Sequence, residues 1–151
     1  MFRRYAVAVL MCALPLGAQA QQPTAEAFLA AIYTPYLSKD YMGDDYIGRA
    51  ERFFVPDLAE AMKRDSEQNP GMVGAIDFDP FIEAQAFEMT NLSIAATTDG
   101  VKATGHVTFT NLGKPMHVVI DLVQTSAGWR IADIKWPDRP LASLRALYKL
   151  H

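Results

Sequence analysis

Two short turns in the second half of the chain constrain its fold more than any other feature. Asp99-Gly100 is a two-residue hairpin signal, and Asn111-Leu112-Gly113-Lys114 is a second turn. Closing the first between Thr98 and Val101 sets Ala96 opposite Ala103, Ile94 opposite Gly105 and Leu92 opposite Val107. Closing the second between Thr110 and Pro115 sets Phe109 opposite Met116, Val107 opposite Val118, Gly105 opposite Ile120 and Ala103 opposite Leu122. The two placements are independent, yet they agree on one apolar face: Leu92, Ile94, Ala96, Ala103, Val107, Phe109, Met116, Val118, Ile120 and Leu122. A slip of one residue would turn that face to the other side. The opposite face carries Asn91, Ser93, Thr97, Lys102, Thr104, His106, Thr108, His117 and Asp121. A third turn, Ser126-Ala127-Gly128, leads into a last strand from Trp129 to Trp136, with its register open because the loop accommodates three or four residues.

An antiparallel sheet with one greasy face needs a cover, and the first half supplies helices. Thr24 caps a helix over Ala25 to Tyr36 with Phe28, Leu29, Ile32, Tyr33 and Tyr36 on one side. Ile47, Ala50 and Phe54 mark a second helix near Tyr46 to Phe54. Pro56 opens a third, with Leu58 and Met62 facing inward, and Asn69-Pro70-Gly71 breaks it. Asp79 followed by Pro80 reads as a cap opening a short turn through Phe81 and Ile82. Pro137 and Pro140 end the last strand, and a short helix from Leu141 to Leu150 closes the chain. Helices first and strands afterwards predict an α+β fold.

The first twenty residues read as a leader rather than as part of that fold. Arg3 and Arg4 precede an uncharged apolar run from Tyr5 to Gly17, and Ala18-Gln19-Ala20 places small residues for cleavage before Gln21. The run is shorter than the roughly 20 residues of a membrane-spanning helix, so no membrane anchor is expected. Cleavage takes two of the 14 basic residues and none of the 17 acidic ones, which moves the net charge from −3 to −5 over residues 21–151. An acidic domain repels phosphate backbones, so nucleic acid is not an expected partner. The single cysteine, Cys12, leaves with the leader, and thiol chemistry leaves with it. The expected location is outside the cytoplasm, the periplasm if the source is Gram-negative.

Helices followed by a curved meander ending in Trp129-Arg130-Ile131 resemble the nuclear-transport-factor-2-like cone. The segments Ile76-Asp77-Phe78-Asp79-Pro80-Phe81, Ala84-Gln85 and Trp129-Arg130-Ile131-Ala132-Asp133-Ile134 are similar to a family of small exported bacterial proteins of unknown function within that superfamily. That family often carries an acid after the glutamine, where this chain has Ala86. The resemblance implies N-terminal helices packed on a curved four-stranded antiparallel sheet over 21–151, and a homodimer through the polar sheet face. It implies no particular reaction, because fold does not fix function.

Candidate chemistry follows from the same placement. His106, His117 and Asp121 are diagonal neighbours across two strands, a set able to bind zinc or relay a proton. They lie on the face away from the helices, so no metal or catalytic role is assigned to them. Asp77, Asp79, Glu83 and Glu88 cluster before the sheet, where a carboxylate could act as a base or as a cation ligand. Asp79 and Gln85 are binding candidates because they carry the resemblance. Tyr33 and Tyr36 are binding candidates as the lining of a pocket mouth. Asp133 is a further binding candidate, against the structural reading that it pairs with Arg130, Lys135 or a buried hydroxyl. No cofactor-binding motif is present. The expected function is an exported, non-catalytic domain that binds a small apolar ligand or a protein partner. One alternative is a cone-fold isomerase or hydrolase using a pocket carboxylate, and another is an envelope inhibitor or immunity-type protein.

Overall fold

The computed structural model describes residues 22–139 and 143–151, so the leader lies outside the described residues. Helix α1 spans Ala25–Tyr33 and tightens into a 3-10 turn over Thr34–Leu37, because Pro35 has no amide to continue the α-helical ladder. The Thr24 side chain accepts the Ala27 amide as the expected cap. The second helix is much shorter than its periodicity suggests: α2 is Ala50–Phe53 only. Asp45 accepts the Gly48 amide at 2.8 Å and holds a separate turn, a local bond that competes with helix. Helix α3 runs over Pro56–Gln68 as anticipated, with Leu58, Ala59 and Met62 buried. The terminal helix is reduced to α4, Leu144–Leu147.

Strands β1 (Met89–Asp99), β2 (Lys102–Asn111), β3 (Lys114–Thr125) and β4 (Gly128–Lys135) form an antiparallel meander in chain order. The β2–β3 register is the expected one, from Thr110 opposite Pro115 to Ala103 opposite Leu122. The β1–β2 register is displaced by two: Ala96 faces Gly105 and Ile94 faces Val107. Gly100, at φ +58°, is the first of the two loop residues rather than the second. That is the place a type II′ turn reserves for glycine. An even displacement preserves side-chain parity, so the apolar face is unchanged. Near its start β1 bulges between Thr90 and Ser93, with Asn91 at φ +53°. The β3–β4 loop holds two residues, Ser126 and Ala127, between Thr125 and Gly128 and not the expected three or four, because Thr125 and Gly128 themselves pair, and β4 carries a bulge at Ala132 opposite the Asp121–Leu122 step.

Ala103, Val107, Phe109, Val118, Ile120 and Leu122 are buried on the inner face, together with Leu29, Ile32 and Tyr33 of α1 and Leu58 and Met62 of α3. Leu29 packs directly over Gly105, where a Cβ would collide with its Cδ1. Beside β4, the Val55 amide donates to the Ile131 carbonyl at 2.9 Å, which brings the α2–α3 junction onto that strand. The Trp129 indole donates to the Pro23 carbonyl at 3.1 Å and ties the start of the described chain to β4. No helix among the described residues is long and apolar enough to cross a membrane.

Candidate functional site

Asp79 sits in a tight turn closed by an Asp79–Ala84 bridge, and its Oδ1 accepts the Phe81 amide at 2.9 Å, the capping role its Pro80 neighbour suggested. The turn is held from the sheet side. The Trp136 indole donates to the Pro80 carbonyl at 3.0 Å, and Arg139 pairs with the Glu83 carboxylate while stacking over Phe78 at 4.7 Å. Glu83 accepts φ +56° within this arrangement. The link of Trp136 to Pro80 and the Arg139–Glu83 pair have no signal in local spacing.

So fixed, Asp79 meets α1 and the turn after it. The Tyr36 hydroxyl donates to Asp79 Oδ2 in a short hydrogen bond. Tyr33 lies beside it, its ring 6.3 Å from Tyr36, 6.1 Å from Phe81 and 6.1 Å from Phe109. Tyr33 Oη is buried and has no hydrogen-bond partner among the described residues. Tyr41 packs on Tyr36 at 4.9 Å, and Tyr46 on Phe81 at 5.8 Å. Burial pushes the Asp79 carboxyl above its ordinary value, and the bonds from Tyr36 and Phe81 oppose that rise only in part. Burial, then the nearby Asp79 charge, pushes Tyr33 and Tyr36 well above the usual tyrosine range.

The structure therefore unites Tyr33, Tyr36 and Asp79 and leaves the other candidates elsewhere. Gln85 is exposed, its amide spent on the Asp77 carbonyl at 2.9 Å. Asp133 forms no ion pair with Arg130 or Lys135. Its Oδ1 accepts the amides of Ile134 at 2.9 Å and Arg145 at 3.0 Å, so it anchors the start of α4. Lys135 pairs with Asp121 instead. Asp77 and Glu88 are exposed and lie apart from Asp79's bonds.

Both oxygens of Asp79 are occupied, and the nearest groove, about 480 Å³, is lined by Tyr36, Tyr41, Phe87 and their neighbours rather than by the carboxylate. Tyr36 stands between that groove and the acid. A larger open groove of about 670 Å³ runs along α3, with Phe54, Pro56 and Ala59 as its floor and Glu51, Glu60, Lys63, Arg64 and Arg130 at its rim. Val107, Val118, Ile120 and Leu122 line none of the described grooves. Between helices and sheet, Tyr33, Phe54, Leu29 and Met62 are fully buried.

On the outer face, His106 and His117 are in contact, Nδ1 to Nε2 at 3.2 Å with rings 5.5 Å apart and nearly parallel. Asp121 does not join them, being held by Lys135. Among the described residues no group of three or more His, Cys, Asp or Glu converges.

The chain matches no protein-family model and no curated protein. Among solved structures it is similar to a chain of the crystal structure of the type VI native effector-immunity complex Tae3-Tai3 from Ralstonia pickettii, at 21% identity over 78% of this chain and 98% of that one, with a TM-score of 0.48.

Proposed function

We propose that this chain is an exported protein of the nuclear-transport-factor-2-like superfamily that works by binding another protein, as an envelope inhibitor or immunity-type partner. The observation that carries this reading is the inner sheet face, whose Val107, Val118, Ile120 and Leu122 are buried and line none of the described grooves. A small apolar ligand needs an apolar cavity that encloses most of its surface, and here Tyr33, Phe54, Leu29 and Met62 are fully buried in the core. Recognition then falls to the outside. The groove along α3 offers an apolar floor with both signs of charge at its rim, a composition suited to a polypeptide. The leader-like residues 1–20 support export, and the excess of acidic residues after them supports a protein partner over nucleic acid.

The test has two steps. Native mass spectrometry of the chain recovered from the exported fraction is expected to give the mass of the polypeptide alone. Mixing it with the product of the adjacent gene is expected to give a one-to-one complex on size exclusion and loss of that product's toxicity. A retained small molecule, released on denaturation, would overturn the reading and restore the apolar-ligand one.

A second reading, a cone-fold isomerase or hydrolase, draws on one observation: Asp79 has a raised pKa beside a tyrosine hydroxyl, as a general base often does. It would require Tyr36 to swing away and open Asp79 to the groove.

A further inference from the structure

We infer that His106 and His117 form a two-imidazole chelate for a divalent late transition-metal ion on the outer face of the sheet. The residues lie on neighbouring strands, His106 opposite Val119 and His117 opposite Thr108, so they are diagonal neighbours on one face. Their facing nitrogens are 3.2 Å apart. Two metal–nitrogen bonds of about 2.0–2.1 Å meeting at a near-tetrahedral angle put their nitrogens about 3.3 Å apart. The pair already has the bite of a chelate and needs no backbone movement to close on an ion. The facing nitrogens lie along the line between the two rings, so binding moves the N–H that one ring donates to that ring's far nitrogen and turns each ring about its side-chain torsions until both lone pairs meet at one ion.

The surroundings favour an open site. His106 is exposed and Thr108 beside it is exposed, so an ion reaches the rings from solvent. The nearest sheet carboxylate, Asp121, is engaged by Lys135, so water completes the coordination. Two imidazoles and water select by ligand type, and among divalent ions Cu2+ binds such a set more tightly than Zn2+. This is distinct from the three-ligand set that residue types alone suggested, because the carboxylate is absent from it. It also stands apart from the protein-binding role, since neither histidine lines the groove along α3.

The test is titration of the mature chain, prepared without a histidine tag, with zinc chloride and with copper chloride by calorimetry, alongside His106→Ala, His117→Ala and His151→Ala. One equivalent of each ion is expected to bind, with Cu2+ the tighter. Each of the first two variants should weaken binding by at least about tenfold, the scale on which metal sites respond to lost support, and His151→Ala should leave it unchanged. Electron paramagnetic resonance of the copper complex should show two coupled nitrogens in the parent and one in either variant. No saturable binding, or a loss in only one of the two variants, would overturn the chelate. Circular dichroism checks that the variants remain folded, which the exposed positions of His106 and His151 and the half-buried one of His117 favour.

Discussion

The two clusters of polar side chains in this molecule use similar residue types under opposite conditions. Tyr33, Tyr36 and Asp79 lie beneath the helices, where each polar atom must find a partner or carry the cost of lacking one. His106, His117 and Asp121 lie on the uncovered face of the sheet, where water partners whatever the protein does not. Beneath the helices, burial shifts acidities upward and ties the residues into one unit with Phe81 and Trp136. Outside, the residues separate into an imidazole pair and a Lys135–Asp121 ion pair. Covering, more than residue type, decides what these groups do.

If that contrast is right, the largest effect belongs to the joint between sheet and turn. Trp136→Ala removes a buried indole, its bond to Pro80 and its edge contact with Phe78 at 5.2 Å. A loss of about 3–5 kcal/mol is expected in urea unfolding. A loss below 1 kcal/mol would mean that the Asp79 turn is not held by the sheet.

The next two effects have opposite signs although the chemical change is the same. Tyr36→Phe deletes the donor to Asp79 and should cost about 1.5–3 kcal/mol, the range for hydrogen bonds to charged groups. Tyr33→Phe deletes a buried hydroxyl with no partner among the described residues and should stabilise the fold, by about 1 kcal/mol. Equal effects at the two positions would break the account of the cluster.

Asp79 adds a pH signature. Burial raises its pKa in the folded state, so the folded chain holds this proton more tightly than the unfolded chain. Its contribution is therefore fully present below the unfolded value of about 3.9 and is lost as pH rises through the higher folded value. Asp79→Asn keeps an acceptor for Tyr36 and Phe81 but cannot titrate. Relative to it, the parent should lose stability as pH rises from about 4. Asp57 works in the opposite direction, since its hydrogen bond to Arg145 lowers its pKa. The difference between parent and variant isolates Asp79.

How much of this was legible in the sequence varies with the physics of each part. The sheet faces were, because side-chain alternation has a period of two: moving Gly100 from the second to the first loop position displaced the partners of Ser93 to Asp99 by two and kept their faces, up to the bulge between Thr90 and Ser93. The β3–β4 register was not, because the Ala132 bulge adds a residue that no alternation announces. Tyr36 and Asp79 each stood out alone, but their bond spans 43 positions and exists only once α1 is laid over the sheet. Asp133 was misread as an ion-pair residue because its partner is a backbone amide on Arg145, and backbone amides leave no mark in a sequence. The separation of His106 and His117 from the interior was legible from register alone.

The smallest expected effect lies on that outer face. His106→Ala removes an exposed ring whose neighbour His117 can turn to water, so unfolding free energy should change by no more than about 0.5 kcal/mol in metal-free buffer. Lys135→Met breaks an ion pair between two partly exposed groups, which contributes little once water screens it. A loss there comparable to that of Tyr36→Phe would mean that the outer face is covered in solution. The covering body would be a second copy or a partner, since no described part of this chain reaches over His106. Repeating the measurement across a hundredfold range of protein concentration separates the two. A self-associating face gives a midpoint that rises with concentration, and a face open to water gives one that does not.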